Sequence, residues 1–190
     1  EVVVTPSSID FADKVATEYR KDNWNWDLME KYHHDAKAIN RVAREYGLMT
    51  TSAEQESKGL QYYENAYIWR EKAGQMSVAE MKRRIYDSVV EFMFNGYEWL
   101  HATSISGLNT GRQKNYLGVD FSMESDITMA HFTMVSEDQV KYASKKNFNA
   151  SPITGKAATA KVDPQEVAKA QTAYDAAFKA NQLALASKGV

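Results

Sequence analysis

The chain has no cysteine. That excludes disulfide bridges, thiolate metal sites, thiol nucleophiles and chromophores attached through a thioether. Only three prolines punctuate 190 residues. No apolar run approaches the roughly 20 residues that span a bilayer as a helix. Charge of one sign is lacking too: 23 Lys and Arg stand against 25 Asp and Glu, a net of −2. A nucleic-acid binder needs a concentrated basic face to displace phosphate counterions, so that class is not expected. The lysines cluster mildly after Ser136, which suits a solvated tail or an arm docking on an acidic partner.

Core-forming residues are plentiful. The chain is 44% hydrophobic and 12% aromatic, with eleven Tyr and four Trp, enough for a packed body. Tyr and Trp pair an apolar ring with a polar handle, which suits both cores and interfaces. The first residue is Glu1 rather than Met, which leads us to expect a mature chain after removal of a targeting segment.

Helical spacing dominates the reading of local structure. "EVVV" is a short β-prone arm, and a first helix is expected from Ser7 to near Lys21. Met29, Tyr32, Ala36, Ile39, Ala43 and Tyr46 recur at three and four, the seam of a helix over about 25–46, with Gly47 closing it. Thr51 and Glu54 suggest a capping box for a third helix reaching Gly74, and Ser77 with Glu80 another for a fourth. Met81, Ile85, Val89, Phe92, Gly96 and Trp99 line one face of that fourth helix, and Val90, Met93, Phe94, Tyr97 and Leu100 make the rest apolar. Such a helix is central to its bundle or covered by a partner. Residues 105–162 read as extended or irregular chain with short helices. Asp163, Pro164 and Glu166 then start a C-terminal helix.

The expected fold is therefore all-α: a bundle-like body of four to five helices over 1–104, an extended arm over 105–162, and a helix over 163–190. Candidate partner-interface residues are Trp24, Trp26, Tyr62, Trp69, Phe94, Tyr97, Tyr116, Phe121, Tyr174 and Phe178. Catalytic signatures are thin. Glu30 with His33, and Glu98 with His101, have the Glu-x-x-His spacing of di-metal helical bundles, but the accompanying pair of glutamates does not stand out. No serine lies in a Gly-x-Ser-x-Gly setting, and "GLNTGRQK" lacks the phosphate-loop pattern. No catalytic, metal or cofactor-binding residue is assigned, and the chain is read as non-enzymatic.

One segment resembles a known family. Gly74-Gln75-Met76-Ser77-Val78-Ala79-Glu80-Met81-Lys82-Arg83-Arg84-Ile85-Tyr86-Asp87-Ser88, preceded by "YYENAYIWREK", is similar to part of phycobilisome linker domains. Gly74, Ser77, Val78, Glu80, Arg83 and Ser88 carry the match. The resemblance, over about residues 62–94, implies a structural linker of a light-harvesting assembly on the stromal or cytoplasmic side of a thylakoid. It would bind phycobiliproteins and touch bilins held by them, with no cofactor of its own. The alternatives are a helical accessory subunit of another complex and, third, a di-metal helical-bundle enzyme.

Overall fold

Strand β3 (Asn115–Glu124) shows why the all-α expectation does not hold. Leu117, Val119, Phe121 and Met123 alternate with Gly118, Asp120, Ser122 and Glu124, a period of two that gives one apolar face. Strand β4 (Ile127–Ser136) is buried throughout, as a central strand covered on both faces must be. The two pair antiparallel from Glu124↔Ile127 to Asn115↔Ser136 around Ser125 and Asp126. Ser125, at φ 51°, adopts the left-handed conformation of a tight turn.

A computed structural model describes residues 1–72, 74–95 and 99–154, together with Lys169, Thr172, Ala176 and Lys179, each helical. Two compact units divide the chain, Glu1–Ile153 and Thr154–Val190. Beyond Thr154 only those four residues of the second unit are described. The expected helix start at Asp163 and most of that helix lie outside the described residues.

The first unit is mixed α/β. Its sheet runs β1-β3-β4-β2, with β1 (Val2–Val3) parallel to β3 and β2 (Glu64–Trp69) antiparallel to β4. Helix α1 (Pro6–Lys21) packs Phe11, Val15 and Tyr19 on one face of the sheet, beside α3 (Ala36–Glu45) with Ile39, Val42 and Ala43. Helix α5 (Val78–Phe94) packs Phe92, Met81, Ile85 and Val89 toward Phe121, Ala130 and Phe132 on the other. Short helices α2 (Trp26–Tyr32), α4 (Ala53–Glu56), α6 (Leu100–Ile105) and α7 (Glu137–Lys141) fill the connections.

Several helix ends follow their sequence signals. Ser77 caps α5 by accepting from the Glu80 N–H at 3.2 Å. Gly47, at φ 66°, closes α3, with the Leu48 N–H returned to the Ala43 carbonyl at 2.9 Å. The single helix expected over 25–46 is instead two, α2 and α3, parted at His33 and His34. The helix expected after Thr51 ends within one turn at Glu56, and its aromatic continuation "ENAYIW" is strand β2. There Tyr67 and Trp69 face the α5 side while Ala66 and Ile68 face the α1 side, so period two prevailed over capping chemistry.

Phe92 is 4% exposed and meets Tyr67 and Phe132 edge-on at 6.0 and 5.4 Å. Phe92→Ala is expected to lower unfolding free energy by about 3–5 kcal/mol in urea titration, the range for emptying a core aromatic site. A change under about 1 kcal/mol would show that α5 is not anchored there.

Candidate functional site

A histidine inside the apolar run "ITMAHFTMVS" must find partners, since an unpaired buried polar group costs several kcal/mol. His131 sits in mid-β4, fully buried, and finds Glu64 at the start of β2. Its Nδ1 lies 2.5 Å from Glu64 Oε1 and its Nε2 lies 2.7 Å from Ser122 Oγ on β3. Glu64 Oε2 accepts from the Tyr19 hydroxyl of α1 at 2.5 Å and from His34 Nδ1 at 2.7 Å. One buried carboxylate thus joins α1, β2, β4 and the turn after α2.

The backbone around His34 is built for this contact. His33 ends α2 at φ 63°, a conformation few non-glycine residues take, and the turn delivers His34 to Glu64. Gly59, at φ 76°, lies so close to that turn that a Cβ would stand 2.0 Å from the Tyr32 carbonyl oxygen. Gln61 fixes the start of β2 by accepting from the Tyr63 and Glu64 N–H groups and donating to the Glu64 carbonyl.

Burial pushes the Glu64 carboxyl up, but the charge and hydrogen bonds of His131 and the hydrogen bond of His34 outweigh it and hold the group well below the usual carboxylate range. An ionised carboxylate only accepts, so both imidazoles present Nδ1–H to it. When its ring is neutral, each histidine keeps a lone pair on Nε2. Ser122 takes up that of His131. His34 keeps 22% of its side chain exposed.

His34 and Glu64 line a cleft of about 590 Å³ with Tyr32, Leu60, Ile68 and His101. His101 stacks on Phe92 with ring centroids 4.8 Å apart. The sequence pairs Glu30/His33 and Glu98/His101 do not build a metal centre here: Glu30 and His33 are exposed, and Glu98 lies outside the described residues. Among the described residues no group of three or more His, Cys, Asp or Glu is disposed to hold a metal ion. None of their helices is long and apolar enough to cross a membrane.

The aromatic candidates scatter. Trp24, Tyr116 and Phe121 are buried. Trp26 and Trp69 are half-buried, under Arg70 and Arg84 guanidinium groups 4.8 and 4.7 Å from their ring centroids. Tyr62 and Phe94 are exposed. Tyr97, Tyr174 and Phe178 lie outside the described residues. Sequence reasoning noted His34 only as the neighbour of His33 and did not join it to Glu64 and His131, because they stand 30 and 67 residues apart along the chain.

No family model and no curated protein matches the chain. Among solved structures it is similar to the CAP domain of Enterococcal PrgA, at 23% identity and a TM-score of 0.53, over 82% of this chain. The likeness is one of fold. The chain spans 56% of that neighbour's length.

A second buried acid lies close by. Asp35 caps α3, Oδ1 accepting from the Ala38 N–H at 3.0 Å. Burial pushes its carboxyl up to about 7, and the Asp22 carboxyl beside it adds to the rise. The folded chain therefore holds a proton that an unfolded Asp, with a pKa of about 3.9, has released. This group makes stability fall as pH rises from about 4 to about 7. Asp35→Asn is expected to flatten that decline in thermal melts taken across the window. An unchanged profile would mean that Asp35 is ionised in the fold.

Proposed function

We propose that the chain is a non-catalytic binding module with a CAP-like fold, whose ligand contacts His34 in the cleft beside β2. One observation carries this reading: His34, fixed through Nδ1 to a buried carboxylate, lines a cleft whose walls mix Leu60, Ala66 and Ile68 with Lys58, Gln61 and Asn65. Pockets of this kind bind through apolar area and orient through a few fixed polar groups.

The test is ligand-observed NMR with a fragment set mixing apolar rings with hydrogen-bond donors. Hits should weaken about tenfold in His34→Ala and persist in Tyr142→Ala, an exposed side chain on another part of the surface. Hits indifferent to His34 would remove this reading.

A second reading rests on the resemblance at residues 74–88, that of a linker or scaffold subunit of a phycobilisome-type assembly. Val78, Tyr86 and Phe94 of α5 and Trp99 and Leu100 at the start of α6 are all exposed, and exposed apolar groups favour a partner. Native mass spectrometry of material from its source would show phycobiliproteins travelling with the chain. A lone monomer would count against it.

A further inference from the structure

Strand β2 is an outer strand of the sheet, and its free edge carries unpaired backbone groups. The Met134 N–H reaches the Tyr63 carbonyl at 2.7 Å. Continued along the register of β2 with β4, that bond makes Asn65, Tyr67 and Trp69 the residues that exchange hydrogen bonds with β4. Glu64, Ala66 and Ile68 therefore turn their N–H and C=O groups outward. Glu64 is met there by the side-chain amide of Gln61, which accepts from the N–H at 2.7 Å and donates to the carbonyl at 2.8 Å, as a neighbouring strand would. No group among the described residues does the same for Ala66 or Ile68. The opposite edge is short and partly covered: β1 is Val2–Val3, and the Ile153 N–H bonds to the Val4 carbonyl at 2.8 Å. Proteins usually cover or blunt an open edge, because it is a template for another strand.

The cleft beside β2 follows this open edge. Its lining takes Ala66 and Ile68 from the α1 side of the sheet and His101, stacked on Phe92, from the α5 side. A cleft walled from both faces straddles the strand edge between them. We infer that it takes an extended peptide segment of a partner protein, which joins the four-stranded sheet as a fifth strand beside Ala66 and Ile68. The inference rests on the proposed role of this cleft and names its ligand. A peptide backbone offers the acceptors and donors that the outward N–H and C=O groups lack, and strand addition of this kind draws its affinity from them. Successive side chains of a strand point to opposite faces, so one set meets Tyr32 and Leu60 and the other Leu100. Charge favours a peptide with an acidic residue. Glu64, the one acid in the lining, is spent on Tyr19, His34 and His131, while Lys58 keeps 62% of its side chain exposed beside Glu54.

NMR on the full chain would use a set of end-blocked hexapeptides that alternate Val or Ile with Thr and finish in Glu. In the free chain the Ala66 and Ile68 amide protons should exchange with solvent about tenfold or more faster than those of Asn65 and Tyr67. Peptide at about 1 mM should shift the Ala66 and Ile68 resonances and slow both exchanges by a similar factor. The same peptides N-methylated along the backbone keep their side chains, lose their donors and should not bind. Ala66→Pro removes one outward N–H at a place where an edge strand tolerates proline, and should weaken binding about tenfold. The inference is overturned if no peptide of the set binds, if the N-methylated forms bind equally well, if Ala66→Pro folds and binds like the parent, or if Ala66 and Ile68 gain no protection. Protection of both amides in the free chain that rises with protein concentration would overturn it too, assigning the edge to a second copy. Fragment hits that depend on His34 without peptide binding would sink the fifth strand and leave the role of the cleft standing, whereas loss of both would remove the two together. The exchange measurement uses the parent chain, so the test stands even if Ala66→Pro disturbs folding.

Discussion

Glu64→Ala is expected to lose about 3–5 kcal/mol of stability, the range for stripping one partner from a buried charged cluster. The carboxylate accepts from Tyr19, His34 and His131 at 2.5–2.7 Å with its side chain fully buried. Removing it leaves a phenol and two imidazoles without their acceptor, and also leaves a cavity. Glu64→Gln separates the two effects, since it keeps the volume but supplies a neutral amide that cannot accept on both ends. Its loss should be smaller yet still exceed about 1 kcal/mol. The pH dependence has a definite sign. The folded carboxyl is held below its unfolded value of about 4.3. Its contribution is therefore complete above that value and is lost as pH falls toward the folded pKa. The stability gap between parent and Glu64→Gln in urea titrations should narrow from pH 7 to near pH 3, without closing. A difference that stays constant with pH would mean that charge is not what Glu64 contributes.

Gly118→Val should be as damaging for a steric reason. A Cβ at Gly118 would stand 1.8 Å from the Ser8 carbonyl oxygen and 2.9 Å from the Ala12 Cβ. These are groups of α1, and backbone cannot swing aside as a side chain can. Ser8 Oγ also donates to the Leu117 carbonyl at 2.7 Å, which draws the helix onto β3 at this point. Valine would force α1 off the sheet and strain the cluster of Phe11, Val15 and Tyr19. We expect a loss of about 3 kcal/mol or more, at the upper end of overpacking effects. Near-native stability by thermal melt would show that α1 and β3 slide apart at little cost.

The sequence reading and the fold part company at identifiable residues. Ser77 marked a helix start correctly, because capping is a local bargain between one side chain and the next turn. Gly47 marked an end for the same reason. The alternation from Leu117 to Met123 was present but masked by Gly118 and by the turn residues upstream. In β4 there was no alternation to read, because helices cover both faces. The stretch "YYENAYIWREK" carried both helical spacing and strand character, and the pairing of β2 with β4 decided between them.

By itself, the sequence determined several things about this protein: the absence of thiol chemistry, a helix from Ser77, a helix end at Gly47 and a β-prone N-terminal arm. All of these depend on residues within a few positions of one another. Only the tertiary structure decided that the body is a mixed sheet between helices. It also decided that Tyr19, His34, Glu64 and His131 meet at one buried carboxylate. Strand pairing and ion clusters join residues tens of positions apart, and their energies depend on burial that no local window of sequence contains.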